Sequence, residues 1–235
     1  MAGVLYLVPN LLGVVAPVDV LPARTLSVAG ALKHWVVETP KPARAFLKSI
    51  APARPIAELV IEPIGEAPDG SRVAHLLQPL RQGHDLGVLS DAGCPGVADP
   101  GAAIVAAAHA AGFRIVPLVG PSSLLLALMA SGMNGQRFAF HGYLPVKAQP
   151  RVAALRALEA NSRAGGVTQL FIETPYRNGA MLTSMFETLA PATRLCVAVD
   201  LTLPTESIST RAVREWRASD VGQYDKRPAI FLLEA

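Results

Sequence analysis

The sequence predicts an α/β protein made of two α/β domains, and three observations lead there. Short apolar runs alternate with helix-like segments through the first half, as in a largely parallel sheet. A loop from Ser90 to Gly101, with three glycines and two prolines, joins an apolar run to an Ala-rich helix, the form of a ligand-binding turn at a strand's carboxyl end. With 51% hydrophobic residues in 235, the chain has enough apolar side chains for a substantial core.

Taken in order, Gly3 to Val8 reads as a first buried strand. The first charge is Asp19 and the first cation Arg24, and Pro9, Asn10, Pro17 and Asp19 interrupt the apolar opening, so neither a signal segment nor a membrane span is expected. A helix around Thr25 to Ala31, a strand from Trp35 to Glu38, a helix from Ala43 to Ile50 and a strand from Glu58 to Glu62 follow. A single helix from Arg72 to Gln82 then leads to a strand from Asp85 to Leu89. Past the loop come a helix to Ala111 and a strand from Arg114 to Leu118. Ser122 and Ser123 stand where they can cap the apolar helix to Ser131.

The second half is expected to hold strands Phe138 to Gly142, Gln169 to Glu173, Arg194 to Asp200 and Ala229 to Glu234. Helices are expected near Arg151 to Asn161, Asn178 to Leu189 and Val213 to Ser219. The domain boundary is set at residues 1–119 and 120–235, with a small-molecule cleft expected between the domains.

Charge and cysteine usage narrow the function classes. Residues 1–120 carry 9 basic and 9 acidic side chains and residues 121–235 carry 12 and 9, so the net +3 lies in the second half. Arg211, Arg214 and Arg217 fall at helical spacing, a basic face that is either solvated or meets phosphate. Cys94 and Cys196 have neither metal-ligand spacing nor the number for a disulfide framework, which points to a reducing cytoplasm and to no metal.

Five segments then fall in order: Ser90-Asp91-Ala92-Gly93-Cys94-Pro95, Asp99-Pro100-Gly101, Gly120-Pro121-Ser122-Ser123, Gly142-Tyr143-Leu144-Pro145 and Glu173-Thr174-Pro175-Tyr176-Arg177. Together they resemble the signatures of the tetrapyrrole methylase superfamily and, within it, the ribosomal RNA small subunit methyltransferase I branch. The resemblance implies two α/β domains with S-adenosylmethionine folded into the cleft between them, commonly in a homodimer, and 2′-O-methylation of a ribose in ribosomal RNA.

By that resemblance, Asp91, Ala92, Gly93, Cys94 and Val97 form the cofactor loop, and Ser122 and Ser123 contact the cofactor from the other domain. Ile172, Pro228 and Ala229 are candidates for the adenine pocket. Glu38 and Glu173 are the carboxylates expected at strand ends near the cleft, each either a general base for a hydroxyl acceptor or a structural group, Glu173 as a partner of Arg177. Pro9, Tyr143, Lys147 and Arg151 are the candidate acceptor-binding residues.

Three segments depart from the RNA branch. The opening reads Val8-Pro9-Asn10-Leu11-Leu12-Gly13, the acidic segment reads Glu38-Thr39-Pro40-Lys41, and the run Val199 to Glu206 lacks the branch's basic residues. The lost cations bear on RNA affinity, which rests on phosphate contacts. Two other readings therefore stand beside an RNA methyltransferase: a methyltransferase of a tetrapyrrole or other small metabolite, and a non-catalytic S-adenosylmethionine-binding regulatory or assembly module.

Overall fold

A computed structural model describes residues 2–235. The chain divides after Ser122 into two units, the second being Ser123–Ala235.

In the first unit, strands β1 (Val4–Leu7), β2 (His34–Val37), β3 (Val60–Pro63), β4 (Leu86–Leu89) and β5 (Arg114–Pro117) form one sheet. Its order is β3-β2-β4-β1-β5, and every neighbouring pair is parallel. The helices are α1 (Pro17–Val20), α2 (Ala23–Ala31), α3 (Pro40–Ser49), α4 (Gly70–Leu76), α5 (Gln78–Arg81) and α6 (Ala102–Ala110).

The connections from β1 to β2 and from β2 to β3 run one way along the sheet, and those from β3 to β4 and from β4 to β5 run the other. Right-handed crossovers then place α2 and α3 on one face and α4 and α6 on the opposite one. The packing agrees. Ala29, Phe46 and Leu47 cluster with Val8, Trp35 and Val37, whereas Leu76, Ile104 and Ala108 cluster with Leu5, Val36 and Val88. With both faces covered, the central strand Leu86–Leu89 is buried at every residue.

The neighbours β1 and β4 lead into crossovers of opposite direction, which makes their carboxyl ends a topological switch point, where open α/β sheets hold ligands. Close packing sets this end. A Cβ at Gly120 sits 2.4 Å from the Cβ of Pro9 and 3.0 Å from Leu21. Gly120→Ala is therefore expected to cost about 1–3 kcal/mol by overpacking, read as a lower urea midpoint at unchanged slope.

The second unit holds α7 (Ser123–Ser131), α8 (Ala148–Gly165) and α9 (Asn178–Thr188). Its strands are β6 (Phe138–Tyr143), β7 (Thr168–Glu173), β8 (Arg194–Val199), β9 (Ser207–Ala212) and β10 (Ala229–Glu234). The order is β6-β7-β10-β8-β9, with β6 parallel to β7 and the other pairs antiparallel. Phe171 and Phe231 pair across β7 and β10, their rings stacked 5.5 Å apart, and Met181, Met185 and Leu155 close the core over them.

The structure corrects three expectations about elements. The helix expected over Arg72 to Gln82 is two, because Pro79 has no N–H to continue the ladder past Leu77. The helix expected near Val213 to Ser219 is two 3₁₀ stretches, Val213–Glu215 and Ala218–Tyr224, whose starts are tied by Glu215 to the Ala212 amide at 3.2 Å and by Asp220 to the Arg217 amide at 3.0 Å. Ser207–Ala212, expected in no element, is an edge strand. The arginine trio therefore makes no helical face. Arg211 lies in β9, stacks 4.8 Å over Trp216 and pairs with Asp220 at 3.2 Å.

Candidate functional site

The carboxyl edge of the first unit's sheet is organised by Asn10, which leaves β1 and is only 4% exposed. Its side-chain amide donates to the carbonyls of Ser90 at 2.9 Å and Asp91 at 3.0 Å, and its backbone N–H donates to the Gly93 carbonyl at 2.8 Å. The carboxamide oxygen turns back to accept from the Leu11 amide at 2.8 Å. One side chain thus clamps the loops that follow β1 and β4 across the switch point. The Ser90 hydroxyl donates to the Ala92 carbonyl at 3.2 Å, and the Cys94 thiol reaches the Pro121 carbonyl at 3.5 Å.

The loop follows the path its glycines allow. Gly93 has φ +67°, Gly96 +80° and Gly101 +138°, a region that side-chain-bearing residues rarely occupy. Gly93 is buried, and a Cβ there meets Leu12 at 3.4 Å and the Pro121 carbonyl at 3.8 Å, so the loop packs closely at this point. Among the described residues the amides of Ala92 and Cys94 donate to no protein acceptor, which leaves two donors on this loop. Such donors suit a carboxylate or ribose oxygen, as the methionine and ribose parts of S-adenosylmethionine present.

Three carboxylates meet at the same edge. The Asp91 amide donates to Glu38 Oε2 at 2.9 Å, and the Thr39 amide donates to Asp91 Oδ1 at 3.1 Å, a reciprocal link between the ends of β2 and β4. Asp99 completes the group. Burial first, then the charge of Glu38 and more weakly that of Asp91, push its carboxyl up to about 6, partly offset by the nearby Ser90 hydroxyl. Burial and the nearby Asp99 also raise the Cys94 thiol, which keeps it protonated and unsuited to nucleophilic work. Among the described residues no three His, Cys, Asp or Glu side chains converge as metal ligands.

In the second unit, Tyr143 at the end of β6, Glu173 at the end of β7, Val199 at the end of β8 and Ala229 at the start of β10 share one edge. Glu173 Oε1 accepts from the Thr174 amide at 2.6 Å and from Arg177 at 2.9 and 2.6 Å, while its side chain is fully buried and Oε2 has no partner. Asp200 and Thr202, just past β8, have φ of +52° and +71°, and Asp200 is braced by Arg227 at 2.8 Å and Thr205 at 2.8 Å. Tyr143 is 59% exposed, Lys147 and Pro228 are exposed, Ser122, Ser123 and Ile172 are half-buried, and Ala229 is buried.

Two residues expected at the acceptor are committed elsewhere. Pro9 is buried against Gly120. Arg151 is 8% exposed, its guanidinium donating to the Ser184 hydroxyl at 3.0 Å and the Val146 carbonyl at 3.1 Å, because the first turn of α8 faces α9. The structure adds Asn10 and Asp99 as residues of the edge. Both stand in segments notable by sequence, Asn10 directly after a strand-ending proline and Asp99 before Pro100-Gly101, yet their partners lie some 80 residues away or across the sheet edge.

No family model matches the chain. Similar sequences are ribosomal RNA small subunit methyltransferase I of Pseudomonas aeruginosa and of Escherichia coli O157:H7. The first is 35% identical over 161 residues, covering 67% of this chain and 55% of the relative. The second is 36% identical over 140 residues, covering 60% and 48%. The chain thus spans about half the length of the curated relatives it matches. Among solved structures, the methyltransferase CobJ superposes with a TM-score of 0.65 at 22% identity, covering 100% of this chain and 94% of that one. The cobalt precorrin-4 methyltransferase CbiF gives 0.61 at 15% identity, covering 98% and 94%. The chain has the fold of the tetrapyrrole methyltransferases, and its sequence is similar to that of the ribosomal RNA small subunit methyltransferase I proteins.

Proposed function

We propose that this chain is an S-adenosylmethionine-dependent methyltransferase whose acceptor is a ribose hydroxyl of ribosomal RNA. The observation that carries the proposal is the Asn10-clamped loop at the switch point, with its free Ala92 and Cys94 amides beside Glu38, in a chain similar to rRNA methyltransferases. S-adenosylmethionine supplies a methyl group on a positively charged sulfur, displaced in line by an oxygen nucleophile. The protein's part is to hold the donor, aim the acceptor and receive its proton. The loop backbone around Gly93 holds, with Val97, 48% exposed, on its outer side. Ser122 and Ser123 from the following segment, and Ile172, Pro228 and Ala229 on the second unit's edge, are the further proposed cofactor contacts.

Glu38 is the better base of the two carboxylates. One of its oxygens is held by the Asp91 amide, and the other has no protein partner among the described residues and can accept the hydroxyl proton. Glu173 is sealed and engaged by Arg177, which fits a structural role. Tyr143 and Lys147 are exposed and remain the proposed acceptor contacts on the second unit.

The test is transfer of a labelled methyl group from S-adenosylmethionine to small ribosomal subunits from cells lacking the modification, with precorrin-type tetrapyrroles as a parallel acceptor. Labelled ribose in RNA is the expected result. Label in the tetrapyrrole alone replaces the acceptor, cofactor binding without turnover on either supports a non-catalytic module, and no binding by calorimetry overturns the methyltransferase reading. We further propose a cytoplasmic homodimer. Leu125 and Met129 stand 53% and 79% exposed one turn apart on α7, and light scattering at the dimer mass is expected. Among the described residues no helix is long and apolar enough to cross a membrane.

A further inference from the structure

The excess of positive charge by sequence lies in the second half, but the structure uses much of that charge internally. Arg163, Arg177, Arg194, Arg211 and Arg227 all make ion pairs, and Arg151 is buried. The opposite holds for residues 20–57. They carry six cations, Arg24, Lys33, Lys41, Arg44, Lys48 and Arg54, and one anion, Glu38. None of the six makes an ion pair among the described residues, with Glu38 or any other carboxylate.

These cations are placed in order. Lys41, Arg44 and Lys48 are exposed and lie within about 60° of arc on α3, at 100° per residue. Ala43, Phe46 and Leu47 bury the other side of the helix against the sheet. The stripe begins at the candidate site, because Thr39, the residue before α3, bonds through its amide to Asp91. It runs away for about 10 Å, the helical rise from Lys41 to Lys48. Beyond its end, Arg54 and Lys33 line a cleft at the other end of the sheet, together with the stacked rings of His34 and His84, 5.2 Å apart. Unpaired cations occur elsewhere on the surface too, but α3 carries three of them and no anion, on one side of a helix that starts at the site.

We infer that the α3 stripe of Lys41, Arg44 and Lys48 is the track on which the phosphate backbone of the acceptor RNA lies, delivering one nucleotide to the Glu38 edge. The inference rests on the RNA acceptor proposed above and names the surface that holds it. Phosphate is the chemistry that fits: unpaired exposed cations neutralise successive backbone charges with release of counterions, and no aromatic platform on α3 calls for base stacking.

The test measures binding of a fluorescein-labelled small-subunit rRNA fragment at several salt concentrations, for the native chain and for K41Q/R44Q/K48Q. A control, R156Q/R214Q/R217Q, removes the same charge from exposed positions on the second unit. The stripe variant is expected to bind RNA at least about tenfold more weakly, with the slope of log affinity against log salt smaller by about 2–3, while the control keeps most of its affinity. S-adenosylmethionine binding by calorimetry is expected to stay within about twofold in both, which also reports folding.

An unchanged slope in a stripe variant that still binds S-adenosylmethionine overturns the track and leaves the methyltransferase reading standing. Equal losses in stripe and control also overturn it, since net charge alone then accounts for binding. If the native chain binds anionic phosphatidylglycerol vesicles and no RNA, the track and the RNA acceptor fall together.

Discussion

Replacing Asn10 with leucine is expected to destabilise the first unit by about 2–4 kcal/mol and to weaken S-adenosylmethionine binding by at least about tenfold. Leucine matches asparagine in size, so the change removes hydrogen bonds with little loss of packing. The carbonyls of Ser90 and Asp91 lose their donor and the Leu11 amide loses its acceptor; Ser90 is buried, while Leu11 and Asp91 are reached by solvent. Each buried group left unpaired costs about 1–3 kcal/mol, and the backbone bond from Asn10 to Gly93 survives the substitution, which bounds the sum. The two tryptophans allow the measurement to be assigned. Trp35 lies in the first unit's core and Trp216 in the second's, so urea unfolding followed by fluorescence in a Trp216→Phe background reports the first unit. A midpoint unchanged by Asn10→Leu removes the clamp from the account of the site. Lower stability with unchanged cofactor affinity leaves the clamp structural and separates the loop from the ligand.

Why Asn10 stayed invisible in the sequence is physical. Strands covered on both faces announce themselves as apolar runs, so Leu86–Leu89 and Ala229–Glu234 were legible. Gly93 and Gly96 sit in a loop whose glycine and proline content already implied a fixed backbone path, and they do adopt positive φ. A clamp joining residues 80 apart has no local signature, and neither does the burial of Pro9 or of Arg151. The edge strand Ser207–Ala212 has no fully buried residue and carries Ser, Thr and Arg, so it lacks the apolar alternation of a strand. The arginine trio misled in a second way. Spacing of three residues suits a helix, but Trp216, 6% exposed, draws the chain into the core and Arg211 lies over its ring. Charge counted by halves concealed the cations of α2 and α3, because pairing becomes visible only once the chain is folded.

Asp99→Asn is expected to stabilise the first unit by about 1–2 kcal/mol at pH 8, solvent screening the partly exposed carboxyl, and by little at pH 4. The Asp99 carboxyl rises from 3.8 to about 6 on folding, chiefly by burial and then by the charge of Glu38. Between those two values the native state holds a proton that the unfolded state has released. Stability therefore falls as pH climbs from about 4 to about 6 and is level above that, the reverse of a carboxylate that gains a cationic partner. An amide at position 99 carries no charge to desolvate and can donate toward the carboxylates beside it. The gain from the substitution should grow through the same window and then stop growing. Urea unfolding of both proteins at pH 4, 5, 6, 7 and 8 checks this, and a difference that does not vary with pH sinks it. No cation pairs with this carboxyl, and the charges of Glu38 and Asp91 oppose its ionisation. A carboxyl that lowers stability at neutral pH, near Glu38 on the loop with unpaired amides, is a candidate for the chemistry of the edge, and turnover decides it. Asp99→Asn should accordingly give a more stable protein that transfers methyl groups more slowly, and equal turnover in the two would return Asp99 to the scaffold.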